Sequence, residues 1–266
     1  MSLAQPANDV LTNKKAALKG LYDALYAKNM FPFWATSEGV DHDEIKQLMA
    51  TSKAVPFVWS YSDIEPLLQR AAELVTMDDS ERRSLILVNP GLAPKRASVS
   101  TMYTAYRLND PDEIMPPHKH SPSAIRFGLT GKGNFTGVEG EDVVFGPGDM
   151  VLTPNDAWHN HGTVGGEQAV NLSLRPGERT LPQRETASLL LAPFRGSGHS
   201  IIDGKRYDWN QFDTIAIPGG SWVEHVNGSS SEPVIFFGAT DAPTQKALLL
   251  YKRWGRNQAG DLLRLV

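Results

Sequence analysis

Between Asn13 and Asn29 the apolar residues Leu18, Leu21, Leu25 and Tyr26 recur at helical spacing. A second stripe, Leu67, Leu68, Ala71 and Leu74, follows the capping residue Ser62 and predicts another helix. The aromatic-rich stretch between them, residues 30–49, reads as part loop and part short helix. From Arg83 the pattern changes. SLILVNPGL, TMYTAYRL, AIRFGLTGKGNFTGV, DVVFGPGDMVLTP and QAVNLSL are short β-rich runs divided by Gly, Pro and Asn. Runs of this kind predict a sandwich or barrel, so a helical region over residues 1–82 precedes a mainly β remainder.

The β region repeats itself. Pro117–Gly133 aligns without a gap on Pro182–Gly198, sharing the leading Pro, Ser123 with Ser188, and the closing G-x-G. Pro154–His161 aligns on Pro218–His225, sharing Pro, Trp and the last His. Two related barrels in tandem follow, over residues 83–172 and 173–266, the second including a C-terminal tail.

Composition narrows the function. With 266 residues, 41% hydrophobic and 21% charged, the chain is of ordinary globular make-up. A net charge of -4 gives no reason to expect a nucleic-acid partner. No apolar run reaches the roughly 18 residues of a membrane span. The N-terminus lacks the apolar core of a signal peptide, so the cytoplasm is the expected compartment. There is no cysteine, and any metal must be held by His, Asp or Glu.

In a strand, residues two apart point to one face, which places His118 and His120 side by side. Alone, such a pair reads first as two surface histidines. A further segment, Gly148, Asp149, Pro154, His159, has the form G-D-x4-P-x4-H and puts a tight turn, a strand and a histidine in succession. These two segments resemble the paired motifs of the cupin superfamily, whose fold is a double-stranded β-helix or jelly-roll barrel. His159 and His161 compete for the third ligand position, and the motif spacing selects His159. Where a cupin usually carries a glutamate this chain has Ala124 and Ile125, with Arg126 following. Three neutral imidazoles leave a divalent ion its full charge and open coordination positions, and Arg126 adds a further cation. Such a pocket calls for an anionic, chelating ligand.

HKHSPSAIRF, GKGNFTGVEG and GPGDMVLTPNDAWHNHG together resemble the gentisate 1,2-dioxygenase family of bicupins, which includes salicylate and 1-hydroxy-2-naphthoate dioxygenases. ERRSLILVNPGL resembles the segment preceding the first barrel of that family. The resemblance implies tandem cupin barrels and one Fe(II) per chain on His118, His120 and His159. It implies that Arg126 faces the substrate carboxylate and His161 a ring oxygen. It implies that an arginine of the Arg82–Arg83 pair, preferably Arg82, lines the pocket, and that Tyr103 stacks on the ring. A surface or subunit ion pair for the arginine, and barrel core for Tyr103, are the plainer readings. Ring cleavage beside the carboxyl-bearing carbon, by O2, would turn gentisate into maleylpyruvate. The family also suggests a homotetramer.

In the second repeat the ligand positions are Gln183, Glu185 and Val223, and only His225 survives, opposite His161. The second barrel is therefore expected to be metal-free, with Glu185 a network carboxylate. The connection between the repeats, AVNLSLRPGERTLPQRE, is shorter than the family's. Either the second barrel is compact or, as favoured, a segment near Leu172 is missing. Salicylate and 1-hydroxy-2-naphthoate are alternative substrates, with Arg107 a candidate for tuning the choice. A cupin that binds an acid or sugar without turnover is the alternative of another class.

Overall fold

The computed structural model describes residues 5–32, 53–76, 83–110, 113–121, 123–131, 133–163, 172–174 and 178–266. They form two compact units, Met1–Val55 with Ser62–Leu108, and Pro56–Tyr61 with Asn109–Val266.

In the first unit the helix Gln5–Ala27 buries Leu21 and Leu25 and ends at Asn29, which takes a positive φ of 55°. The chain then enters a three-stranded antiparallel sheet of Met30–Pro32, Ser84–Leu87 and Ala105–Arg107. Met30–Pro32 was expected as loop or helix; its pairing with Leu85–Leu87 makes it a strand, and residues 33–52 lie outside the described residues. The helix Tyr61–Leu74 carries Asp63 in its first turn, which suits the positive end of the helix dipole. Its buried stripe, Ile64, Leu68 and Ala71, is rotated from the one expected, and Val75 continues it just past the helix end. Arg83 is 4% exposed and donates from Nη1 to the Val75 carbonyl and from Nη2 to that of Leu108. It ties strand to helix inside this unit.

The second unit holds the tandem β barrels. In the first barrel, a four-stranded sheet runs in the order Met115–His118, His159–Thr163, Asn134–Val138, Glu141–Phe145. Ala124–Phe127 pairs with Met150–Thr153 in a second sheet. The second barrel repeats these pairings. Val223 lies opposite Gln183 as His159 lies opposite His118, and His225 opposite Ser200 as His161 opposite Thr136. Its five-stranded sheet recruits Phe57–Trp59, from the region expected to be helical, against Thr214–Ala216. Leu172–Leu174 pairs with Val234–Phe236 in the same sheet. Leu191, Ile202, Trp209, Ile215, Ile217, Val223, Val234 and Phe236 make the core.

The two barrels meet through aromatic rings. Phe127 stacks on Phe237 at 4.4 Å between centroids and 12° between planes, and meets Phe194 edge-on at 5.5 Å. In the second core Trp209 Nε1 donates to Ser200 Oγ at 2.9 Å, and Ser200 Oγ lies 2.8 Å from His225 Nδ1. The chain of bonds closes if the Ser200 hydroxyl donates to a neutral imidazole. Burial pushes the His225 pKa down to about 4, because an imidazolium there would be stripped of water.

A histidine whose folded pKa lies below its unfolded value of about 6.5 takes up its proton more readily in the unfolded chain. Its contribution to stability is complete above pH 6.5 and is lost as the pH falls towards 4. Denaturant unfolding across that window should show a loss of up to about 3 kcal/mol from this residue. His225→Gln should flatten that part of the profile, and an unchanged slope in the variant would exclude His225 as the cause.

Candidate metal centre

The centre is built on a turn. Asp149 is buried, and its Oδ2 accepts the Gly146 N–H at 2.8 Å. Gly148 takes a positive φ of 91° and donates its N–H to the Gly128 carbonyl at 2.8 Å, while the Gly128 N–H bonds the Asp149 carbonyl at 3.0 Å. A Cβ on Gly128 would lie 2.0 Å from the Gly146 oxygen, so no other residue fits there without a shift. This junction sets Arg126 opposite Val151 and Ala124 opposite Thr153.

Beyond Thr153 the chain turns through Pro154 and Asp156, whose φ is 57° and whose N–H bonds the His120 carbonyl at 2.9 Å. The Trp158 N–H donates to Glu139 Oε1 at 2.7 Å, and the Trp158 carbonyl accepts from the Glu139 N–H at 2.8 Å. His159 thereby starts its strand between His118 on one side and Val138 on the other.

The structure brings His118, His120 and His159 together. Their ligand-capable atoms all lie within 4.8 Å of one another. Ring centroids are 4.4 Å apart for His118 and His159, 4.7 Å for His120 and His159, and 5.8 Å for His118 and His120. His159 is 2% exposed, and its Nδ1 lies 2.8 Å from the Ala157 carbonyl. A carbonyl only accepts, so Nδ1 carries the proton and Nε2 keeps its lone pair for a metal. His118 Nδ1 stands in the same relation to the Pro116 carbonyl, at 3.2 Å. Backbone carbonyls orienting ligand imidazoles are the usual outer shell of a metal site. Three neutral imidazoles, with no carboxylate grouped with them among the described residues, suit a borderline divalent ion with positions left open.

Arg126, half-buried on the strand Ala124–Phe127 of the same barrel, donates from Nη1 to Thr153 Oγ1 at 2.6 Å. His161 lies two residues beyond His159, its backbone paired with Thr136; its side chain is outside the described residues, as is Arg82 altogether. Tyr103 belongs to the other unit and is 55% exposed, so it is not core there. Arg107 pairs with Ser84 in that unit's sheet. In the second barrel Tyr251 Oη donates to Glu185 Oε2 at 2.6 Å and Arg253 Nη2 donates to Gln183, which makes Glu185 the network carboxylate expected. Burial, reinforced by Glu185, pushes the Tyr251 pKa up to about 12. Thr153 escaped the sequence reading because it is only one of four spacer positions in the G-D-x4-P segment. Its contact with Arg126 is cross-strand and leaves no local signal.

Comparison with known proteins agrees with this geometry. The Cupin domain family matches residues 109–175. A gentisate 1,2-dioxygenase from Ralstonia sp is 36% identical over 153 residues, 57% of this chain and 42% of the relative. The chain thus matches less than half the length of that relative. A 5-aminosalicylate 1,2-dioxygenase from Comamonas sp is 24% identical, covering 88% of this chain and 89% of the relative. That alignment runs over 344 positions against a chain of 266 residues, so a long stretch of the relative faces no residue here. The salicylate 1,2-dioxygenase of Pseudoaminobacter salicylatoxidans, solved as adducts with gentisate, shares the fold at a TM-score of 0.70 and 20% identity. It covers 97% of this chain and 96% of its own.

Titration of the chain with a divalent transition metal should fill one site. His159→Ala should abolish it, and Glu185→Ala should leave it intact. Two ions per chain would refute a metal-free second barrel, and full occupancy in His159→Ala would remove His159 as the third ligand and leave His161 in its place.

Proposed function

We propose that this chain, a bicupin of the gentisate 1,2-dioxygenase family by its relatives and its cupin domain, is a dioxygenase that opens the ring of a hydroxylated aromatic acid, with gentisate as substrate and maleylpyruvate as product. The observation that carries this reading is the three-histidine cluster without a carboxylate, in the same barrel as Arg126. Fe(II) held by His118, His120 and His159, one per chain, would supply the Lewis-acid and one-electron chemistry that lets O2 react with an aromatic ring.

The side chains of this chain do the rest. Arg126 binds the substrate carboxylate through two parallel N–H bonds, a geometry that a lysine does not reproduce. It thereby orients the ring so that cleavage falls between the carboxyl-bearing carbon and its hydroxylated neighbour, and both oxygen atoms enter the product. His161 bonds a ring hydroxyl and holds or passes its proton, a task for which an ordinary imidazole pKa of about 6.5 is suited. In this reading the metal barrel falls within residues 83–172, and residues 173–266 carry no metal. Assembly is as a homotetramer in the cytoplasm.

Salicylate or 1-hydroxy-2-naphthoate is the second reading, favoured by the fold shared with a salicylate dioxygenase. Both lack the hydroxyl para to the first and are harder to activate.

The test is anaerobic reconstitution with Fe(II), then addition of each acid in aerated buffer while oxygen uptake and ring-opened product are followed. Uptake with gentisate supports the first reading; uptake with salicylate or 1-hydroxy-2-naphthoate alone selects the second. No uptake with any acid despite bound iron would leave a binding protein without turnover. Arg126→Leu should raise KM about 10- to 100-fold, the worth of a charge-assisted bond, while the iron content stays near that of the unaltered chain.

A further inference from the structure

We propose that Thr153 is a positioning residue that aims the Arg126 guanidinium at the substrate carboxylate, an inference that rests on the role given to Arg126 above. Ala124 lies opposite Thr153 and Arg126 opposite Val151. Because side chains alternate along a strand and directly opposed residues share a face, Arg126 and Thr153 stand on one face as diagonal neighbours. The bond between them, Nη1 to Oγ1 at 2.6 Å, joins a flexible side chain to a fixed one. Thr153 is 1% exposed, β-branched and followed directly by Pro154, so its hydroxyl has little freedom. Arg126 carries many rotamers, and each that is lost only on substrate binding weakens that binding.

The atom used in the bond matters. A guanidinium offers a carboxylate two edges, one formed by Nη1 and Nη2, the other by Nε and Nη2. Thr153 engages Nη1, and the edge this proposal gives to the acid is that of Nε and Nη2. This chain grips a carboxylate by that edge elsewhere: Arg179 bonds Glu224 through Nε, at 2.9 Å, and Nη2. The Thr153 hydroxyl thus selects which edge of Arg126 receives the substrate, without touching the substrate itself.

The experiment compares Thr153→Val, which keeps the shape and removes the hydroxyl, with Thr153→Ser, which keeps the hydroxyl. Gentisate binding is measured at equilibrium without oxygen, on metal-loaded and on metal-free protein, beside KM, kcat, metal content and melting temperature. Thr153→Val should raise Kd and KM about 5- to 20-fold, as loss of one hydrogen bond to a charged group does. It should lower kcat far less and leave metal content unchanged. Thr153→Ser should bind within about twofold of the unaltered chain. In an Arg126→Leu background, Thr153→Val should add nothing further, since the two act through one contact. The proposal is overturned if Thr153→Val binds gentisate normally while Arg126→Leu does not. It is also overturned if Thr153→Val weakens binding equally in both backgrounds, or if Thr153→Ser fails to restore it. Normal binding by Arg126→Leu would instead remove the role of Arg126, and the proposal would fall with it.

Discussion

The placement of His159 opposite His118 is the constraint on which the metal centre depends. A strand turns each successive side chain to the other face, so a slip of one residue would send His159 out of the barrel. Four backbone contacts prevent the slip. The Gly128 junction with Gly148 and Asp149 fixes where the Met150–Thr153 strand begins, and the Glu139–Trp158 and Asp156–His120 bonds fix where the next begins. Asp149 and Gly148, ten residues or more from any of the three histidines, are therefore parts of the candidate site as much as the imidazoles are. Their role is to specify register.

The second barrel shows the same frame with different contents. Gln183 and Val223 keep the register of His118 and His159, yet neither binds a metal as an imidazole does. Where the first barrel gathers three imidazoles, the second pairs Gln183 with Arg253 and Glu185 with Tyr251. Both partners come from the C-terminal part of the chain, which thereby becomes part of the barrel wall. His225, the counterpart of His161, is enclosed by Ser200, Trp209 and Phe236. A histidine that can serve a pocket in one repeat serves packing in the other.

Much of this was legible in the chain. The H-x-H pair and the G-D-x4-P-x4-H segment are local patterns with period two, and local periodicity is what a sequence displays directly. The repeat displayed the second barrel for the same reason, since its frame residues stand at matching offsets. Contacts that join distant segments were not legible. Phe57–Trp59 pairs with Thr214–Ala216 from within a stretch that reads as helical, and nothing in FVW names its partner. The helix at Tyr61–Leu74 was recognised, but which of its apolar residues face inward depends on the unit it packs in. The bond from Arg126 to Thr153 joins residues 27 apart in the chain and depends on strand pairing alone.

Arg126 and Phe127 are consecutive residues on one strand and so project to opposite faces. Phe127 is seated on Phe237 and Phe194 of the other barrel. The second barrel thus bears mechanically on the strand that carries Arg126. The ring of Phe237 touches the residue one peptide bond from Arg126, so a change in its size reaches the strand that carries the guanidinium.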